Sequence, residues 1–174
     1  MIRKANERDI AAIAQIYSDI HTMEEQGLNT TGWMRAVYPT AYTAEKAVAD
    51  DEMYVMEREG QVVAAARINR KQEPEYAHVD WLYPASADEV LVMHTLVVSP
   101  MAFGRGAGRE FAAYYEETAR NMGLKVLRID TNARNLRARK MYAGLGYRES
   151  GIVPTTFNGI PGVDLVCLEK QVKE

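Results

Sequence analysis

The segment that most restricts the fold is LVVSPMAFGRGAGRE, residues 96–110. It joins the most apolar run of the chain, EVLVMHTLVVSP, to a stretch of helical periodicity through three glycines, Gly104, Gly106 and Gly108. A run so apolar reads as a central strand buried on both faces, and Pro100 ends it. In the REFAAYYEETARNMG that follows, Phe111, Tyr115, Ala119 and Met122 fall on one helical face and Gly123 supplies a stop. A further strand, KVLRIDT, comes next, so strand, glycine turn, helix and strand form one right-handed crossover. Glycine lets the backbone turn sharply and approach a ligand without a Cβ in the way. The helix N-terminus aims unpaired N–H groups and its positive dipole end at the same spot. Together they suit an anion such as a pyrophosphate, with Arg105 and Arg109 adding charge at the edge. The plain alternative is a turn that only connects a strand to a helix.

The rest of the chain fits an α/β arrangement. IRKA is a short opening strand, and Asn6 or Asp9 starts a helix carrying Ile10, Ile13, Ile16, Tyr17 and Ile20 at helical spacing. A less regular helical region is predicted over 33–50, interrupted near Pro39. MYVMERE and QVVAAARIN flank Gly60 as a hairpin, and the polar, proline-marked stretch 71–88 reads as a surface loop. NLRARKMYAGLG is a helix starting at Asn135, and RESGIVP and GVDLVCLEK are closing strands around a Gly/Pro turn region. The order β-α-α-β-β-β-α-β-α-β-β predicts a mixed sheet of about seven strands flanked by about four helices, in one domain over 1–174.

Composition removes several classes of function. A formal net charge of -3 gives no basic field to draw in nucleic acid. The N-terminus lacks the apolar core of a signal peptide, and no stretch approaches the roughly 20 apolar residues of a membrane span. Cys167 is the only cysteine, in the apolar VDLVCLEK, so an internal disulfide is impossible. This fits a reducing cytoplasm and a buried structural thiol. No metal site is expected. The glycine spacing departs from the P-loop, having no Gly-Lys-Ser/Thr, and from G-x-G-x-x-G, because residue 109 is arginine.

Two motifs, however, resemble those of the GNAT (Gcn5-related N-acetyltransferase) superfamily. Val98-Ser-Pro-Met-Ala-Phe-Gly-Arg-Gly-Ala-Gly is similar to its acetyl-CoA motif, Arg/Gln-x-x-Gly-x-Gly/Ala after a strand ending in Val-x-Pro. Asn135-x-x-Ala138-x-x-Met141-Tyr142, followed by Gly146-Tyr147, is similar to its Asn-x-x-Ala-x-x-Leu/Phe-Tyr…Gly-Phe segment. The predicted element order is also the family's, so the resemblance covers essentially the whole chain. It implies the acyl-CoA N-acyltransferase fold and acetyl-CoA as cosubstrate. The implied reaction is direct attack, in a ternary complex, by a primary amine of a small molecule or a peptide or protein. It also implies that the backbones of Leu96, Val97 and Val98 hold the pantetheine arm and that Asn135 and Tyr142 lie near it. The loop of Phe103, Gly104, Arg105, Gly106, Ala107, Gly108 and Arg109 would hold the pyrophosphate. Phe103 departs from the family's Arg or Gln, which leaves that anion to backbone N–H groups and to Arg105 or Arg109.

Acyl transfer to an amine needs a polarised carbonyl, a neutral amine and a proton for the leaving thiolate. Tyr142 stands where the family's general acid lies, and a phenol of pKa about 10 is protonated at neutral pH. Its alternative role is packing with Leu136, Met141 and Leu145. Strict alternation puts Val92, His94, Leu96 and Val98 on one strand face. His94 is then the candidate base, or else a hydrogen-bonded core histidine. Arg134, Arg137, Arg139 and Lys140 read as a mostly solvated basic face, with one or two meeting a CoA phosphate. Asp130 ends its strand near the cleft and reads as structural. Acceptor recognition is expected from the first two helices and a closing loop over 154–161, with His21, Glu24, Glu25, Trp33 and Tyr38 as candidates. Carboxylates there suit a cationic amine. A homodimer is compatible with such a fold. The competing readings are a catalytically inactive CoA-binding sensor of the same fold and a nucleotide-binding oxidoreductase.

Overall fold

Periodicity sorts the chain into seven strands and four α-helices among residues 1–173, which the structure, a computed structural model, describes. β1 (Ile2–Lys4) precedes α1 (Ile10–Glu25). Asn6 caps a short 3-10 turn, Glu7–Asp9, in a reciprocal capping box with Asp9, so both expected start signals act in sequence. α2 (Ala41–Ala49) begins only after Pro39, capped by Thr40; residues 33–40, expected to be partly helical, are irregular because Pro39 forbids a helical residue before it. β2 (Met53–Arg58) and β3 (Gln61–Asn69) form the hairpin about Gly60, with Glu59 and Gly60 both at positive φ. β4 (Val90–Val98), α3 (Ala107–Asn121), β5 (Val126–Asn132) and α4 (Leu136–Gly144) make the crossover region. β6 (Arg148–Phe157) and β7 (Ile160–Gln171) are joined by a tight turn at Asn158 and Gly159, so the expected closing loop is a hairpin tip.

Among the described residues the strands form one mixed sheet in the order β1-β2-β3-β4-β5-β7-β6, in which only β4 and β5 run parallel. On one face α3 and α4 cover Leu91, Met93 and Leu127 with Phe111 and Tyr115, while Met122, expected on the same stripe, is 51% exposed at the helix end. On the other face α1 and α2 cover Val55, Ala65 and Val97. No helix covers the rest of that face. The segment 71–89 does so instead, burying Tyr76 and Val79 against Val92, Val126 and Cys167. It is therefore anchored rather than a free surface loop: the fully buried Glu169 accepts the N–H groups of Leu82 (2.6 Å) and Tyr83 (3.2 Å). Among the described residues no helix is long and apolar enough to cross a membrane.

Two departures from regular pairing in β4 create the site. The β3 register slips between Ala65↔Val97 and Arg67↔His94, so β4 carries an extra residue there, and Thr95 takes φ 53°. Before this bulge Leu91 and Met93 face α3; after it Leu96 and Val98 do. The strict alternation that put His94 beside Leu96 is thereby broken. Secondly, β4 and β5 pair only from Val90↔Val126 to Met93↔Ile129, then separate. The edge of β4 over 94–98 that faces β5 is left without a ladder partner. At the fork, the buried Tyr115 hydroxyl from α3 donates to Leu91 O (2.6 Å) and lies 3.0 Å from Arg128 O, bracing both strands.

Candidate active site

Three cavities with shared lining residues meet along this stretch of β4. The first, of about 600 Å³, is walled by Leu96, Val97 and Val98 of β4, by the glycine turn and by α4. Gly104 and Gly106 have φ of 74° and 76°, a region glycine enters without a Cβ penalty, and Gly106 caps α3. The first helical bond runs from Glu110 N to Gly106 O at 3.0 Å. The N–H groups of Gly106, Ala107, Gly108 and Arg109 therefore stand outside the helix ladder, at the positive end of its dipole. Gly108 has a different reason to be glycine: a Cβ there would meet Met141 Sδ at 2.9 Å, so it lets α3 and α4 approach.

The cations at this cleft are Arg109, Arg137 and Lys140. Arg137 stacks its guanidinium 4.3 Å from the centre of the Phe103 ring. The aromatic residue at the departure from the motif thus holds a cation supplied by α4 at the mouth of the cradle. Arg105 does not line the cleft; its carbonyl accepts from Arg58 instead. Arg139 is likewise withdrawn, paired through two nitrogens to Glu149 at 2.7 and 2.9 Å. Asn135 caps α4 by accepting from Ala138 N (3.2 Å) and also lines the cleft. An apolar channel ending in free N–H groups and three cations fits a long thiol arm bearing phosphates.

Tyr142 lines both this cleft and the second cavity, of about 100 Å³, which lies between β4 and the end of β5. Burial raises the pKa of its hydroxyl well above that of an ordinary tyrosine. Trp33, Tyr38 and Phe157 complete aromatic walls, and among the described residues Asp130 is the only charged side chain in them. The roof is two segments held together: Gly32 lies so close to β5 that a Cβ would meet Asn132 Nδ2 at 2.5 Å, and a Cβ on Gly159 would meet Val37 at 3.1 Å.

The candidates for acceptor recognition separate accordingly. Trp33 and Tyr38 line the second cavity. Glu24 accepts from Thr31 N (2.9 Å) and Gly32 N (3.0 Å), pinning the turn that presents Trp33. His21 is buried against Pro39 O (2.8 Å), and Glu25 pairs at the surface with Arg35. The third cavity, about 470 Å³, opens beyond Tyr38 and Thr95 and holds His94. There Nδ1 lies 3.0 Å from Glu73 Oε1 and Nε2 lies 2.9 Å from Asn69 Oδ1. Asn69 is oriented by donating to Glu52 (2.9 Å) and accepting from Lys71 N (2.9 Å). Both imidazole nitrogens are thus engaged by oxygen acceptors, and His94 is not in the walls shared with Tyr142. The bulge at Thr95 turns it away.

Thr95 is the cavity residue missed from sequence; Asp130, read as structural near the cleft, and Phe157, within the 154–161 stretch, both line the second cavity. Tyr76 donates to Asp130 Oδ2 at 2.7 Å; burial, Glu73 and Glu75 push the carboxyl up to about 6, against Tyr76 and His94. The apolar run hid Thr95, and nothing short of the fold brings Tyr76 to Asp130.

Residues 10–147 match the sequence model described as the acetyltransferase (GNAT) family. No protein of curated function matches significantly. Among solved structures, an acetyltransferase of the GNAT family from Streptococcus agalactiae is 22% identical over 100% of this chain and 95% of that one, with a TM-score of 0.81. A candidate acetyltransferase of Salmonella typhimurium, solved with its cofactor acetyl-CoA, is 20% identical over 100% and 94%, with a TM-score of 0.69. A ribosomal-protein-alanine N-acetyltransferase from Brucella melitensis is 22% identical over 98% and 99%, with a TM-score of 0.72.

Proposed function

The chain belongs to the acetyltransferase (GNAT) family, whose acyl donor is acetyl-CoA, and from that premise we propose that it acetylates a primary amine of a small molecule or peptide. The observation that carries this reading is the junction at Tyr142, where the cradle-ended cleft meets a second cavity across the unpaired edge of β4. The bound donor supplies an activated thioester: the amine nitrogen bonds to the acetyl carbon, the C–S bond breaks, and CoA leaves as the thiol with loss of one proton from the ammonium. The chain's own part is to hold and to move protons. Unpaired backbone groups of Leu96 to Val98 fix the arm, and the N–H groups of Gly106 to Arg109 with Arg137 and Lys140 fix its phosphates. Tyr142, kept protonated by burial, donates to the departing sulfur. Direct attack rather than a covalent acyl-enzyme is supported by Cys167: it is buried in β7, and its thiol is pushed up to about 12 by burial.

Calorimetric titration with acetyl-CoA, with NAD and ATP as controls, tests the donor, and amine-dependent release of free thiol tests the reaction. Selective acetyl-CoA binding with thiol release is expected. Binding with no release for any amine would mark a CoA sensor, and a response to NAD alone would overturn the reading.

A further inference from the structure

The middle cavity carries a chemical feature that donor binding does not require. Asp130 Oδ2 is held by the Tyr76 hydroxyl at 2.7 Å, while Oδ1 has no donor among the described residues. No lysine or arginine pairs with this carboxyl; its electrostatic neighbours are Glu73, Glu75 and Tyr76 from the 71–89 segment and His94 from β4. Tyr38, Tyr142 and Cys167 also face it. An ionised carboxylate beside two further acids, in a pocket walled by Trp33, Tyr38, Phe157 and Tyr142, lacks a cation. Aromatic faces around a carboxylate are the surroundings that stabilise an ammonium group.

We propose that Asp130 is the acceptor-binding carboxylate and the proton acceptor of this site, and that the acceptor is a small, free primary amine bound as its ammonium on an apolar stem. This rests on the reading of the donor cleft given above. The cavity of about 100 Å³ takes an ammonium and a short stem, and the hairpin tip at Asn158 together with the Trp33 segment roofs it. One proton passes from the ammonium to Asp130 Oδ1, leaving a neutral amine and a neutral carboxylic acid. The acid returns the proton to water once the product has left. Because its carboxyl is pushed up to about 6, Asp130 holds a proton about a hundredfold more tightly than an exposed aspartate.

The test uses the protein saturated with CoA, which has no acetyl group to transfer. Calorimetry at pH 7.5 compares benzylamine and n-butylamine with benzyl alcohol and n-butanol. The amines are expected to bind at least tenfold more tightly than the alcohols, and their binding to weaken as the pH falls below about 6. Asp130→Asn is expected to lose at least tenfold of the amine affinity while its CoA affinity stays within twofold of wild type. Equal binding of amine and alcohol to the wild-type complex, or undiminished amine binding in D130N, overturns the assignment while leaving the donor site intact. Failure of CoA itself to bind the wild-type protein overturns both. The amine–alcohol comparison needs no variant, so it decides the matter even if D130N does not fold.

Discussion

A carboxyl group buried beside Glu73 and Glu75, with one phenol as its donor, is harder to ionise in the folded chain than in the unfolded one. The folded group binds its proton more tightly, so the penalty is fully present above about pH 6 and vanishes as the pH falls towards 4. Asp130→Asn, which can still accept from Tyr76, is therefore expected to be more stable than wild type at pH 7.5, by on the order of 2–3 kcal/mol. Urea melts at pH 7.5 and pH 4.5 check this: the gap closes at the lower pH, and a constant gap would count against a buried ionised carboxylate. At Tyr142 the expectation is kinetic. Tyr142→Phe keeps the aromatic packing against Tyr147 but removes the proton donor, so kcat for amine acetylation falls about 10²-fold while CoA affinity is retained. Unchanged turnover would remove Tyr142 as the acid. Tyr142 was legible because it sits inside a motif. Asp130 was legible only as a structural strand-end residue near the cleft, because the groups that make it unusual come from Glu73 to Tyr76, more than 50 residues earlier; the Tyr76 contact spans 54.

The elements around the donor cleft show how a departure from a motif is accommodated. Phe103 offers no charge, yet its ring seats Arg137 from the first turn of α4. Arg137→Ala is expected to weaken CoA about tenfold and to flatten the salt dependence of binding, while pantetheine, which lacks the pyrophosphate and ribose phosphate, binds as before. In Phe103→Leu the further effect of R137A should shrink, since the two act as a unit. Additive losses would separate them. All seven strands and four helices were legible from periodicity and turn residues. What escaped was local: the region 33–40 follows Pro39 rather than its own helical spacing, the 154–161 turn is two residues long, and the 71–88 segment looks like a loop because its partners, Glu169 and Arg128, lie far along the chain.

For the whole molecule, the sheet is weakest where it works. Its two halves meet across β4 and β5 through four register pairs, Val90↔Val126 to Met93↔Ile129, with Tyr115 bracing the end of the contact. A ligand lying along the free edge beyond that point adds contacts to both halves at once. CoA at about 100 times its dissociation constant should add roughly 2.7 kcal/mol of stability. Hydrogen exchange should slow most at residues 94–98, 103–109 and 130–132, and little in β1, β2 and β6. Slowing spread evenly over the sheet would argue for binding elsewhere.

The extra residue at Thr95 also divides the strand into two independently editable parts. His94 opens to the outer cavity, whereas Val97 and Val98 open to the donor cleft, and only Leu96 serves both the cleft and the middle cavity. A library that varies position 94 together with Val37 and Asn158 can widen or narrow the choice of acceptor while the walls that grip the cosubstrate stay untouched. A single deletion at Thr95 would leave Leu91, Met93, Leu96 and Val98 in unbroken alternation on the face they already share, so the core would be kept while the kink that sets the outer cavity apart from the cleft is lost.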